Sequence, residues 1–232
     1  MNPKSLGVLS LLFVILASTC AIADKETKDP QWLSRAQEQT LSDSVPPPPA
    51  VGSAEDQADL AKVLEIQKSR TPAMIAECKR DETFSYKLFE DVYGKNLTPD
   101  HAPKFNQFLK NVMAITRTIN ETAKNKYKRL RPYQQHPDQV HALFKVTGYS
   151  YPSGHAMGSY TLAVVLGTLL PNKQQALLDR AAQIAQSRVD AGVHNPSDIK
   201  EGEVLGRATG NAILASPGFQ HDLVAATKEL GQ

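Results

Sequence analysis

The sequence predicts an all-α protein, and three observations carry that prediction. Helix-starting pairs recur at Thr71-Pro72, Thr98-Pro99 and Asn195-Pro196, each a capping residue followed by proline. Proline suits the first helical position because its missing N–H would have had no partner there. Apolar residues also recur at three- and four-residue intervals, most fully at Phe105, Phe108, Leu109, Val112, Met113, Thr116 and Ile119. No segment shows the strict apolar–polar alternation of a half-buried strand.

Taken in order, the first helix follows Ser53 and carries Leu60, Val63, Leu64 and Ile66. The next starts at Thr71-Pro72, with Met74, Ile75 and Cys78 behind it. Thr98-Pro99 precedes the long amphipathic run, which Pro132 stops. An apolar helix starts near Ser153 and ends before Pro171, and another covers roughly 172–189. Asn195-Pro196 caps a helix reaching about Ala215, in which Gly202, Gly206 and Gly210 share one face and predict close packing on a neighbour. Pro217-Gly218 breaks the chain before a last helix near residues 221–230.

The N-terminus reads as a targeting segment. Lys4 gives a positive start, Leu6 to Ala17 an apolar stretch, and Ala21-Ile22-Ala23 the small residues for cleavage after Ala23. Lipidation at Cys20 is not expected, with Ala17 and Thr19 before it. Residues 24–52 read as an extended arm that carries Trp32 and the run Val45-Pro46-Pro47-Pro48-Pro49. Residues 53–232 then form a single domain. After cleavage only Cys78 remains, so no internal disulfide is possible and packing alone must hold the domain. The best later apolar stretch, Ser159 to Leu170, is too short for a bilayer span of roughly 20 residues. The expectation is an exported protein, periplasmic or secreted, without stable membrane insertion. With 26 Lys+Arg against 24 Asp+Glu, a net charge of +2 also argues against a dedicated nucleic-acid binder.

Three short segments carry the chemistry. The first runs from Lys124 to Pro132. Lys124 and Arg131 stand seven apart, two helical turns, so they are expected on one helix face, with Pro132 turning Arg131 out at the end. Two such cations can hold a phosphate, though a solvated basic face reads the same way. The second is Tyr151-Pro152-Ser153-Gly154-His155. Free N–H groups at a helix start bind anions, glycine admits close approach, and His155 falls in the first turn; a plain serine cap is the other reading. The third runs from Ser187 and Arg188 to His194 and Asp198. Asp198 can hold one imidazole nitrogen of His194 and leave the other to attack, or serve as a capping-box acid, or both.

Together these segments supply three cations, an anion-binding helix start, two histidines and an orienting carboxylate, the set that phosphoryl transfer through a covalent intermediate requires. The pattern K-x6-RP, PSGH, SR-x5-H-x3-D resembles the signature of the PAP2 phosphatase superfamily, shared with vanadium haloperoxidases. The chain looks most like the bacterial class A non-specific acid phosphatases, and Arg80-Asp81 and Phe84-Ser85-Tyr86 add to the likeness. The resemblance implies a helical bundle, no metal or other cofactor, small phosphomonoester substrates, and a homodimer or larger assembly. It assigns Lys124, Arg131 and Arg188 to the phosphate oxygens, with Ser153 and Gly154 as further donors. His194 becomes the nucleophile, oriented by Asp198, and His155 the acid and then the base.

Tyr127, Tyr133 and Tyr151 lie near these segments and are expected at the mouth of the site, with Tyr151 the foremost candidate for substrate contact. His101, His136, His141 and His221 match no motif and read as surface or structural residues. A protonated His155 and a neutral His194 together predict an acidic, bell-shaped pH profile. Phosphotransfer to alcohols is also expected, since any acceptor reaching a phosphohistidine can replace water. Three rivals remain: a haloperoxidase, usually a longer chain; a lipid phosphatase, a protein of several spans; and an anion-binding module without catalysis.

Overall fold

The structure is a computed structural model that describes residues 32–94 and 101–228. The targeting segment read at residues 1–23 and the Thr98-Pro99 helix start lie outside the described residues. Ten α-helices are found among those described, with short 3-10 turns at Tyr86–Phe89 and Pro171–Lys173: α1 (Arg35–Asp43), α2 (Ala54–Ser69), α3 (Pro72–Arg80), α4 (Glu90–Tyr93), α5 (Pro103–Tyr127), α6 (Pro132–Gln135), α7 (Gly154–Leu169), α8 (Gln174–Asp190), α9 (Pro196–Leu214) and α10 (Pro217–Thr227). No strand occurs among them, so the all-α expectation holds.

Helix α7 is the axis of the molecule. Its sequence is apolar on every side, and such a helix must be covered all round. Helices α5, α8 and α9 do this. The closest approach is to α9, where the glycine stripe meets α7 backbone. A Cβ at Gly202 would lie 2.7 Å from the Ser153 carbonyl, and one at Gly206 2.4 Å from that of Met157. The stripe is therefore a packing seam. It fixes the N-terminus of α7, which carries His155, against the N-terminus of α9, which follows His194.

The described part of the arm, residues 32–52, is not extended throughout. It holds α1, begun by a capping box between Ser34 and Gln37. Trp32 packs against Phe108 of α5 and Phe219 of α10, each at 5.3 Å between ring centroids, and its Nε1 donates to Asp222 at 2.8 Å. The Ser42 hydroxyl donates to the Ile119 carbonyl of α5 at 3.0 Å. The proline run is tied down as well: Tyr127 donates to the Val45 carbonyl and Tyr151 to that of Pro46. Buried apolar area and these hydrogen bonds make the arm part of the core.

Two further boundaries differ from expectation. Helix α5 ends at Tyr127, where Lys128 turns left-handed (φ 50°). Arg131 thus lies beyond the helix and opens the short α6 instead of sharing a face with Lys124. The last helix, expected from about residue 221, already begins at Pro217, because the Ser216 hydroxyl accepts from Phe219 N–H and caps it.

Candidate active site

His194 sits in the tight connection between α8 and α9. Gly192 takes a positive φ of 75° there, and the Val193 and His194 amides both donate to the Arg188 carbonyl, at 3.1 and 3.2 Å. The His194 ring is buried, with Nδ1 3.3 Å from Asp198 Oδ2. Asp198 plays both roles open to it. Its Oδ2 accepts from the Asn195 amide at 2.7 Å, as a capping acid does, and also from Ser150 Oγ at 2.5 Å. On the far side of the ring, Nε2 lies 3.1 Å from Arg131 Nη1. A guanidinium can only donate, so Nε2 is the acceptor and the ring proton sits on Nδ1, toward Asp198.

The other oxygen of Asp198 is held by a residue the sequence did not single out. Arg129 Nη1 donates to Asp198 Oδ1 at 2.8 Å and to Ser197 Oγ at 2.7 Å, and Nη2 reaches Asp56 and Asp59 of α2, each at 3.0 Å. The Arg129 side chain is 4% exposed, and each of its two terminal nitrogens serves two acceptors. Burial alone would raise the Asp198 pKa, but His194, Arg129 and Ser150 outweigh it and hold the carboxyl down at about 2.

The three expected cations converge. Lys124 Nζ donates to the carbonyls of Tyr149 and Ser150, at 2.6 and 3.2 Å. Arg131 reaches the carbonyls of Thr147, Gly148 and Val193, at 2.9 to 3.1 Å. Arg188 is 0% exposed, yet it makes one hydrogen bond, from Nη1 to the Asp81 carbonyl at 3.1 Å. Its Nε and Nη2 have no partner. Burial first, then neighbouring positive charge, pushes Lys124 down to about 7 and Arg188 to about 10. Buried, mutually repelling cations with unused donors are the arrangement that an oxyanion would complete.

His155 occupies the first turn of α7. Its Nε2 lies 3.1 Å from the same Asp81 carbonyl, and its ring packs edge-on against Phe84 at 5.3 Å. Asp81 is itself pinned by Arg180. Burial, then the charges of Arg188 and His194, draw the His155 pKa well below the usual histidine range.

Lys124, Arg131, Gly154, His155, Arg188 and His194 all line one cavity of about 180 Å³. Asn120, Glu121 and the 146–149 loop complete it. Ser153 stands apart from the lining, wholly buried, its hydroxyl capping α7 on Ala156 N–H at 3.4 Å. Tyr151 is also not at the mouth. It is 1% exposed, with its hydroxyl turned onto the N-terminal arm, and its neighbour Tyr149 lines the cavity instead.

A family model described as the PAP2 superfamily matches residues 108–221, which include all three segments and the central helix. The chain belongs to the PAP2 superfamily. Among curated relatives of this PAP2 protein, a non-specific acid phosphatase of Providencia stuartii is 28% identical over 200 residues, covering 81% of this chain and 79% of the relative. One from Salmonella typhimurium is 31% identical over 151 residues, covering 62% of this chain and 60% of the relative. Among solved structures, a bacterial vanadium-dependent iodoperoxidase superposes with a TM-score of 0.63 at 18% identity, covering 82% of this chain and 57% of that one. At that identity the likeness speaks for the fold alone. Among the described residues, no helix is long and apolar enough to cross a membrane.

Proposed function

We propose that this PAP2 protein is an exported, metal-independent acid phosphatase that hydrolyses a broad range of phosphate monoesters through a phosphohistidine on His194. Phosphatase activity on monoesters is supported by the acid phosphatases among its relatives. The observation that carries the mechanism is the cavity itself: an acceptor nitrogen of a neutral imidazole faces a space ringed by three buried cations, one of them with two unused donors.

A phosphate dianion entering the cavity receives Lys124, Arg131 and Arg188 on its oxygens, and Gly154 leaves room for close approach at the start of α7. Arg131 Nη1 turns from His194 Nε2 to a phosphate oxygen, and the freed Nε2 lone pair attacks phosphorus as the bond to the alcohol oxygen breaks. The His194 Nδ1 proton stays with Asp198, which balances the positive charge growing on the ring. His155 gives its proton to the departing alcohol oxygen. It then takes a proton from the water that attacks the phosphohistidine, and phosphate leaves. Burial, together with Arg131 and Lys124, depresses the His194 pKa to about 3, so the nucleophile stays neutral in mild acid. The bound dianion raises the His155 pKa and makes it a competent acid, which places the optimum on the acidic side.

Metal independence rests on the charge of the lining, where Glu121 is the sole carboxylate among the described residues, against three cations. An alcohol that reaches the phosphohistidine in place of water would give phosphotransfer. Assembly as a homodimer or larger oligomer, and export, rest on the family likeness and the N-terminal sequence.

The test is hydrolysis of p-nitrophenyl phosphate at about pH 5 to 7 with EDTA, for wild type and His194→Ala. We expect EDTA-resistant turnover that falls by on the order of 10⁴ or more in the variant, as removal of a covalent nucleophile does. A folded wild type without turnover sinks the reading. Halide oxidation by the vanadate-loaded protein would then point to peroxidase chemistry.

A further inference from the structure

The phosphate cavity does not end at His155. A second groove, of about 450 Å³, opens beside it and shares Asn120, Glu121, Gly154 and His155 with the cavity. The general acid thus stands at the seam between the two spaces, where a group must stand to protonate the bridging oxygen of a bound ester.

One wall of the groove is apolar, made by Phe84 and Met113. Gly158 makes room for Phe84: a Cβ there would fall 2.3 Å from the phenyl ring. Met113 belongs to α5, which also supplies the charged part of the lining. Lys110, Ala114, Arg117 and Glu121 follow at helical spacing, and the face continues to Lys124 in the phosphate cavity. Moving outward from the cavity, the charges run from Glu121 to Arg117 to Lys110. Arg117 and Lys110 lie two helical turns apart, about 10 Å. Both are exposed, and neither enters any salt bridge found among the described residues.

We infer that this groove seats the alcohol half of the substrate and favours a flat or aromatic group that carries a second negative charge at the end far from the scissile bond. The inference rests on the phosphatase reading of the cavity. Phe84 and Met113 supply the apolar contact. Glu121 at the seam repels a charge placed close to the phosphate and accepts from a hydroxyl, while Arg117 and Lys110 attract a charge placed farther out.

The experiment compares naphthyl phosphate with its analogue sulfonated on the far ring, at low salt. It reads kcat/KM for the charged ester divided by that for the neutral one, so that the neutral ester normalises each variant for working sites. In a Lys110→Glu, Arg117→Glu double variant this ratio should fall on the order of tenfold, and raised salt should shrink the wild-type ratio toward the variant's. A ratio unchanged within about twofold in the double variant overturns the inference while the phosphatase reading stands. If the wild type turns over neither ester, both readings fall together.

Discussion

The two histidines of the cavity are held in opposite ways. His194 is bound on both ring nitrogens, by Arg131 and by Asp198, and Asp198 is fixed in turn by Arg129, Ser150 and the Asn195 amide. His155 and Arg188 share one hydrogen-bond acceptor, the Asp81 carbonyl; Arg188 lies over the Phe144 ring and keeps two nitrogens without hydrogen-bond partners. One wall is complete without substrate and the other is finished by it. The tautomer and direction of His194 are therefore settled in advance, as the proposed nucleophile requires, while the buried positive charge of Arg188 awaits an anion.

Arg188→Ala offers the sharpest test of that division. Removing an unfinished cation should cut kcat/KM by about 10² to 10³. It should also raise Tm by a few degrees, because an uncompensated buried charge is gone. Inorganic phosphate should raise the wild-type Tm by mass action and do so far less in the variant. A variant that melts well below wild type would show that Arg188 is a structural contact and break the comparison.

Arg129→Lys strikes the finished wall. A lysine keeps the charge but cannot serve Asp198, Asp56 and Asp59 at once. We expect kcat to fall about tenfold with KM nearly unchanged, as for a group that acts through another. A rise in KM with kcat intact would place Arg129 in binding instead.

The smallest expected effect comes from Lys124. Its lowered pKa, about 7, means that the empty site holds its full charge below neutrality and loses one unit as pH rises. Competitive inhibition by inorganic phosphate should therefore weaken several-fold between about pH 6 and 8, although the ligand itself becomes more negative over that range. A Ki that tightens across the range would contradict it.

Much of this was legible from local spacing. Phosphate chemistry demands particular residue types, and Lys124, Arg131, Gly154, His155, Arg188 and His194 announce themselves by type and motif. Their convergence was foreseen, but for Lys124 and Arg131 by the wrong geometry. No glycine or asparagine at position 128 signals that the helix stops there, so a shared face looked natural. Arg129 was missed because its other partners, Asp56 and Asp59, lie 73 and 70 residues upstream, in the first turns of a helix where acids are unremarkable. Tyr151 was misplaced for a similar reason: only the folded arm shows that its hydroxyl has a carbonyl to bond. The helix within that arm did leave a signal, the Ser34–Gln37 box, but its polar sequence gives no hint of Trp32's partners, which come from α5 and α10.

Trp32 has a practical consequence. It is the chain's one indole, wedged between α5 and α10 and away from the cavity lining. Its fluorescence therefore reports the clasp between the N-terminal arm, α5 and α10, and phosphate binding should leave that emission almost silent. Heating the enzyme while following both emission and turnover then separates two events. An emission shift that precedes inactivation means the clasp opens while the catalytic cavity is still assembled; coincident curves mean the clasp and the cavity melt as one cooperative unit.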